Sequence, residues 1–103
     1  MAIMRTRPLA GAAPHPGEVL KDELEARGIS AHALSIALRL PASRISQILN
    51  GRRAITPETA LRLARYFGSS AEIWLRLQVA YDLQRAEMEL ATKIAAEITP
   101  AAA

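Results

Sequence analysis

Apolar residues recur at helical spacing along most of the chain, and Pro, Gly, Ser and Thr divide the pattern into five segments. Val19, Leu20 and Leu24 share one side of a segment that begins at Pro16 and stops at Gly28. Pro favours the first helical position and Gly accepts the left-handed conformation that ends a helix. The spacing therefore predicts a first helix from Pro16 to about Arg27, with Lys21, Asp22, Glu23 and Glu25 outward. Ser30 can cap a short second helix whose Leu34, Ala37 and Leu38 point inward. Pro41 biases Leu40 away from helical angles, so the chain breaks there. A third helix is predicted over 42–50, with Ile45, Ile48 and Leu49 as its inner face and Ser43, Arg44 and Gln47 opposite. Thr56-Pro57-Glu58 opens a fourth, with Leu61, Leu63, Ala64 and Phe67 as its apolar surface and Gly68 as its stop. Ser69-Ser70-Ala71-Glu72 reads as a capping box for a fifth that runs as far as Ile98. The expected fold class is all-α, five helices and no strand.

The fifth segment carries more apolar surface than one buried face needs. Ile73, Trp74, Leu77, Ala80 and Tyr81 form one stripe; Leu75, Val79, Leu83, Ala86, Leu90 and Ile94 form a second, spaced like a coiled-coil seam. The second stripe wants a partner surface, so Leu75, Val79, Leu83, Ala86 and Leu90 are the expected homodimer interface. Residues 1–14 have no period and read as a flexible N-terminal arm, leaving 15–98 as a single domain with a dimerisation helix over 70–98.

Composition narrows the function. At 103 residues there is room for one domain. Only 4% of residues are aromatic and 21 are Ala, so the core is aliphatic and helix-favouring. The chain has no Cys, and neither His15 nor His32 has a second His at metal-ligand spacing. With no nucleophile–base pair and no Gly-rich phosphate loop, an enzyme and a cofactor are not expected. No apolar run is long enough for a membrane span or a signal peptide, so the expected location is the cytoplasm.

The distribution of charge says more than its total of +3. Residues 39–65 hold Arg39, Arg44, Arg52, Arg53, Arg62 and Arg65 against Glu58 alone, while the segments 17–38 and 66–103 are each net acidic. Guanidinium forks suit phosphate and guanine edges. Within this block, residues 31–50 read as a helix-turn-helix: a support helix, a tight turn and a second helix across it. Ser35 and Ala37 are small where the helices approach. Ser43, Arg44 and Gln47 are side chains that read base edges. Ser46 and Asn50 on the flanks, with Arg52 and Arg53 after them, are placed to hold phosphates. Arg62 pairs with Glu58 at i, i+4, and Arg62 and Arg65 read as surface charges. His15 is expected to order the first helix, and Trp74 to lie in the core.

Taken together, His15-Pro16-Gly17-Glu18-Val19-Leu20, Ile45-Ser46-Gln47-Ile48-Leu49-Asn50-Gly51-Arg52-Arg53, Ile55-Thr56, Thr59-Ala60-Leu61-Arg62-Leu63-Ala64, Trp74-Leu75, Leu77-Gln78 and Tyr81-Asp82-Leu83 resemble the HigA-type antitoxins, VapI-like members of the phage-repressor-like helix-turn-helix class. The resemblance spans about residues 15–83. It implies a lambda-repressor-like domain and the antitoxin of a type II pair, which silences a RelE-like or HigB-like mRNA endonuclease and represses its own palindromic operator as a dimer. It implies a phosphate contact for His32. Two positions depart from the pattern: Arg39 stands where the turn usually has Gly, and Ser35 where the support helix usually has Ala. Arg39 is thereby set near the DNA backbone, at a strain on the order of 1 kcal/mol if φ is positive. The acidic side of the first helix, Asp22, Glu23 and Glu25, is the expected contact for a basic toxin. The alternatives are a plain helix-turn-helix repressor with no toxin, or an interaction adaptor that has lost DNA binding.

Overall fold

Ser30 and Thr56 accept hydrogen bonds from the amides of Ala33 and Thr59, and Gly28 and Gly68 take the left-handed conformation, so local chemistry sets most of the helix ends. The computed structural model describes residues 11–102. Its helices are α1 (Pro16–Arg27), α2 (Ala31–Leu38), α3 (Ala42–Leu49), α4 (Pro57–Phe67) and α5 (Ala71–Glu97), and no strand occurs among the described residues. The all-α expectation holds. Residues 1–10 of the expected arm lie outside the described residues; just beyond them, the Ala13 amide donates to Gln84 of α5, whose side-chain amide donates to the Gly11 carbonyl.

The core is one aliphatic cluster with a single Trp. Val19, Leu20 and Leu24 of α1, Leu34 and Leu38 of α2, Ile45 and Ile48 of α3, Ala60 and Leu63 of α4, and Trp74 and Leu77 of α5 are all buried, with Leu40 and Ile55 closing it from the loops. α3 packs on α1 and α2, and α5 packs on α4 and α1.

Four details differ from the pattern read along the chain. Ala37 is exposed, because α2 is so short that Leu34, Ser35 and Leu38 take its whole inner arc. Leu61 is 64% exposed, since Thr59, Ala60 and Leu63 form the inner side of α4. On α5, Ala80 is exposed and Gln78 is buried instead. The cap of α5 is Ser70, which accepts from the Glu72 amide; Ser69 precedes it, and its hydroxyl is buried without a partner among the described residues.

The start of α1 links three parts of the fold. His15 is its cap: Nδ1 accepts the Gly17 amide at 2.9 Å, and the His15 amide donates back to Glu18 Oε2 at 3.2 Å. This is the reciprocal arrangement of a capping box, with an imidazole as the cap. Gly17 has no alternative, because a Cβ there would lie 1.8 Å from the carbonyl oxygen of Ile48. The His15 ring meets Tyr81 of α5 edge-on at 4.9 Å.

Burial lowers the His15 pKa below its ordinary 6.5, against the opposing pull of Asp82 and Glu18. A protonated Nδ1 cannot accept the Gly17 amide. The folded value lies below the unfolded one, so this stabilisation is complete above about pH 6.5 and fades as the pH falls through the lower folded value. Thermal unfolding compared at about pH 7.5 and pH 5 is expected to show a loss of stability from this source. In His15→Asn, whose cap does not titrate, that part of the loss is expected to vanish; an equal acid loss in both proteins refutes the assignment.

Candidate nucleic-acid interface

α2 and α3 form the crossing that the charge pattern singled out. Between them Arg39 sits at φ 57°, ψ 44°, the one non-Gly residue of positive φ among the described residues. Its amide donates to Ile36 O and the Leu40 amide to Ser35 O, which closes α2 in the manner usually left to glycine. The turn expected to want Gly thus has its usual geometry and carries the strain. Arg62 of α4 contributes here: Nη1 donates to the Leu38 carbonyl at 2.9 Å, while Nη2 pairs with Glu58 at 2.9 Å. The pairing with Glu58 was legible in the sequence; the contact with Leu38, 24 residues away, was not. Ser35 is buried, and its hydroxyl donates to the His32 carbonyl at 2.7 Å, so a small polar side chain fits the crossing without an orphaned group.

α3 turns Ile45 and Ile48 into the core. Ser43, Ser46 and Gln47 are exposed and Arg44 is half-exposed, so the three expected base readers lie on the outer part of this helix. Asn50, Arg52 and Arg53 are exposed just beyond it, and His32 and Arg39 are exposed on α2 and the turn. Gly51, at φ 73°, reverses the chain, and the Arg52 amide donates to Gln47 O at 2.8 Å. Arg53 then lies back over α3, with Nε donating to Gln47 Oε1 at 2.9 Å. The loop is pinned from below, where the buried Gln78 of α5 accepts the Ile55 amide at 2.8 Å and donates to Asp82 at 3.0 Å. Nothing in local spacing announces Gln78 as the residue that anchors this loop.

The electrostatics separate this face from the others. Arg27, Arg62, Arg76 and Arg85 each lie within 4 Å of a Glu on their own helix. Arg39, Arg44, Arg52 and Arg53 have no acidic partner within that distance among the described residues. Arg65 also lacks one and borders the same shallow groove as Arg39, Leu61 and Tyr66. Uncompensated guanidinium groups around an exposed helix make a site for a polyanion.

Residues 20–74 match the helix-turn-helix family. Virulence-associated protein I of Dichelobacter nodosus is 54% identical over 76 residues, covering 73% of this chain and 70% of that protein. An addiction module antidote protein of the HigA family from Coxiella burnetii superposes with a TM-score of 0.84 at 46% identity, over 88% of this chain and all of that one. This chain belongs to the helix-turn-helix family, in its HigA-type antitoxin branch. The Pseudomonas aeruginosa antitoxin HigA, solved with the higBA promoter, superposes with a TM-score of 0.84 at 40% identity, over 87% of this chain and 99% of that one. The family is one of DNA-binding regulators and not of enzymes.

The remaining expected sites lie elsewhere. Leu75 is half-buried, and Val79, Leu83, Ala86 and Leu90 are exposed along α5, Val79 by 62% and Leu83 by 57%. Asp22 and Glu25 are exposed on α1, and Glu23 pairs with Arg27 at 3.0 Å. No helix among the described residues is long and apolar enough to cross a membrane.

The left-handed Arg39 sets a trade between stability and charge. Arg39→Gly is expected to stabilise the fold by about 1 kcal/mol, by removing the Cβ penalty. Denaturant unfolding checks it: an unchanged or lowered midpoint means the turn is not strained.

Proposed function

We propose that this chain is the antitoxin of a type II toxin–antitoxin pair, reading a palindromic operator of its own operon and silencing a RelE-like or HigB-like mRNA endonuclease. The observation that carries the DNA part is the unpaired arginine face around α3, in a family whose Pseudomonas member is known with promoter DNA. In this reading Ser43, Arg44 and Gln47 contact base edges, and His32, Arg39, Ser46, Asn50 and Arg52 hold phosphates. The active species is a homodimer joined along Leu75, Val79, Leu83, Ala86 and Leu90, which sets two copies of α3 into successive major grooves about 34 Å apart. Exposed aliphatic side chains on a long helix support that seam. The reading places the protein in the cytoplasm with the duplex it regulates.

Membership of the HigA branch supports the toxin part. The acidic side of α1, with Asp22, Glu23 and Glu25, is the proposed surface for a basic partner; Glu23 is shared with Arg27.

Gel-shift titrations on the DNA upstream of the gene, at two salt concentrations, test the first part. Arg44→Ala is expected to cost about 1–3 kcal/mol and to relax sequence preference, whereas Arg52→Ala weakens all sequences alike and lowers the salt slope by about 1. Leu83→Glu is expected to yield a monomer that no longer shifts the full site. Identical behaviour of Arg44→Ala and Arg52→Ala defeats the division of labour, and no shift at all leaves the adaptor alternative. For the second part, the basic protein encoded by the adjacent reading frame is expected to arrest growth alone and to co-purify with this chain when both are expressed. If it does neither, the chain is a plain repressor.

A further inference from the structure

The hydrogen bond from Arg53 to Gln47 changes what both residues do. Oε1 of Gln47 is turned toward the guanidinium at 2.9 Å, and its two amide N–H donors have no partner among the described residues. The arrangement is built by the backbone as well as by the two side chains. Gly51 reverses the chain, the Arg52 amide caps the Gln47 carbonyl at 2.8 Å, and the buried Gln78 holds Ile55 two residues beyond Arg53. Both partners are exposed, so water competes for the bond in the free protein. Closing the groove over them removes that water and lowers the local dielectric, which strengthens a charge-assisted bond.

We propose that Arg53 is a positioning residue for base reading: it fixes the flip of the Gln47 amide so that Gln47 meets the duplex with its N–H donors. The inference rests on the operator-reading function proposed above and adds a rule to it. Adenine N7, guanine N7 and O6, and thymine O4 all offer an acceptor in the major groove, but cytosine offers only its N4 donor. A Gln47 amide locked with its nitrogen outward therefore accepts adenine, guanine or thymine and rejects cytosine at the position it faces. Without Arg53 the amide turns over at little cost, since its two ends are nearly the same shape, and its oxygen accepts the cytosine donor. Arg53 thus acts on sequence preference through Gln47, where a phosphate clamp acts on every sequence alike.

Selection from a randomised duplex pool by the full-length protein, with Gln47→Ala, Arg53→Ala and the double variant beside the wild type, tests this. The position read by Gln47 is the one whose preference disappears in Gln47→Ala. There the wild type is expected to disfavour cytosine by about tenfold. Arg53→Ala is expected to bring cytosine up to the level of the other bases at that position alone, and to add nothing further to the preference profile of Gln47→Ala. Matching thermal unfolding of the four proteins shows that the change is not one of folding, as expected for exposed side chains. If Arg53→Ala keeps the exclusion of cytosine and only flattens the salt dependence, Arg53 is a phosphate clamp and the inference fails while operator reading stands. If the wild type enriches no sequence, operator reading fails and takes the inference with it.

Discussion

An eight-residue helix cannot hold its own place. Fixing its backbone costs about 1–2 kcal/mol per residue. Its two fully buried side chains, Ile45 and Ile48, return about 1.5–3 kcal/mol each. The position of α3 therefore depends on what grips its ends. At one end the left-handed Arg39 and the buried Leu40 fix its approach to α2. At the other, the Cβ-less Gly17 lets α1 press against the Ile48 carbonyl, and Gly51 and Gln78 hold the exit loop. α3 is thus located by its neighbours more than by its own sequence, which leaves its outer positions free to carry Ser43, Arg44 and Gln47.

The same supports tie distant parts of the chain to the reading face. His15 caps α1, touches Tyr81 of α5 and lies 3.7 Å from where a Cβ on Gly51 would sit. Asp82 accepts from Gln78, and Gln78 accepts from Ile55. α5 therefore reaches the loop that carries Arg53 through one buried hydrogen bond, from the Ile55 amide to Gln78, whose side chain is in turn held by Asp82 of the same helix. A helix proposed to join two subunits is also the one that fixes the loop after α3. In the proposed dimer that connection would fix the spacing between two copies of α3, which reading a palindrome requires.

Much of this was legible in the sequence because the signals that place helices are local. Pro16, Gly28, Ser30, Thr56-Pro57 and Gly68 mark the ends of elements by steric rules that act within a turn. The helix-turn-helix was legible for the same reason, with Ile45 and Ile48 on one side and Arg44 and Gln47 on the other. The misplaced details are those that an arc of a few residues decides. Ala37 sits between Ser35 and Leu38 on too short a helix for periodicity to choose between them. Ser69 and Ser70 are chemically equivalent caps until the path of the chain selects one. The bonds that bind the site together left no periodic trace: Arg62 to Leu38 spans 24 residues and Gln78 to Ile55 spans 23. Both join a side chain to a main-chain group, and any residue at the far end supplies that group.

Arg39 shows how such a fold can keep a residue that its own backbone disfavours. Glycine would relieve the turn, yet it would remove a cation from the edge of the unpaired arginine face. The strain of about 1 kcal/mol is small beside the burial of Leu34, Leu38 and Leu40 on either side of it. The Arg62 bond to the Leu38 carbonyl further secures the end of α2 just before the turn. A left-handed arginine is therefore tolerable at this position because the packing around it over-determines the backbone. Where such strain persists beside an otherwise well-satisfied turn, the side chain and not the backbone is the reason for the residue, and the side chain here is an exposed cation bordering the same groove as Arg62 and Arg65 of α4.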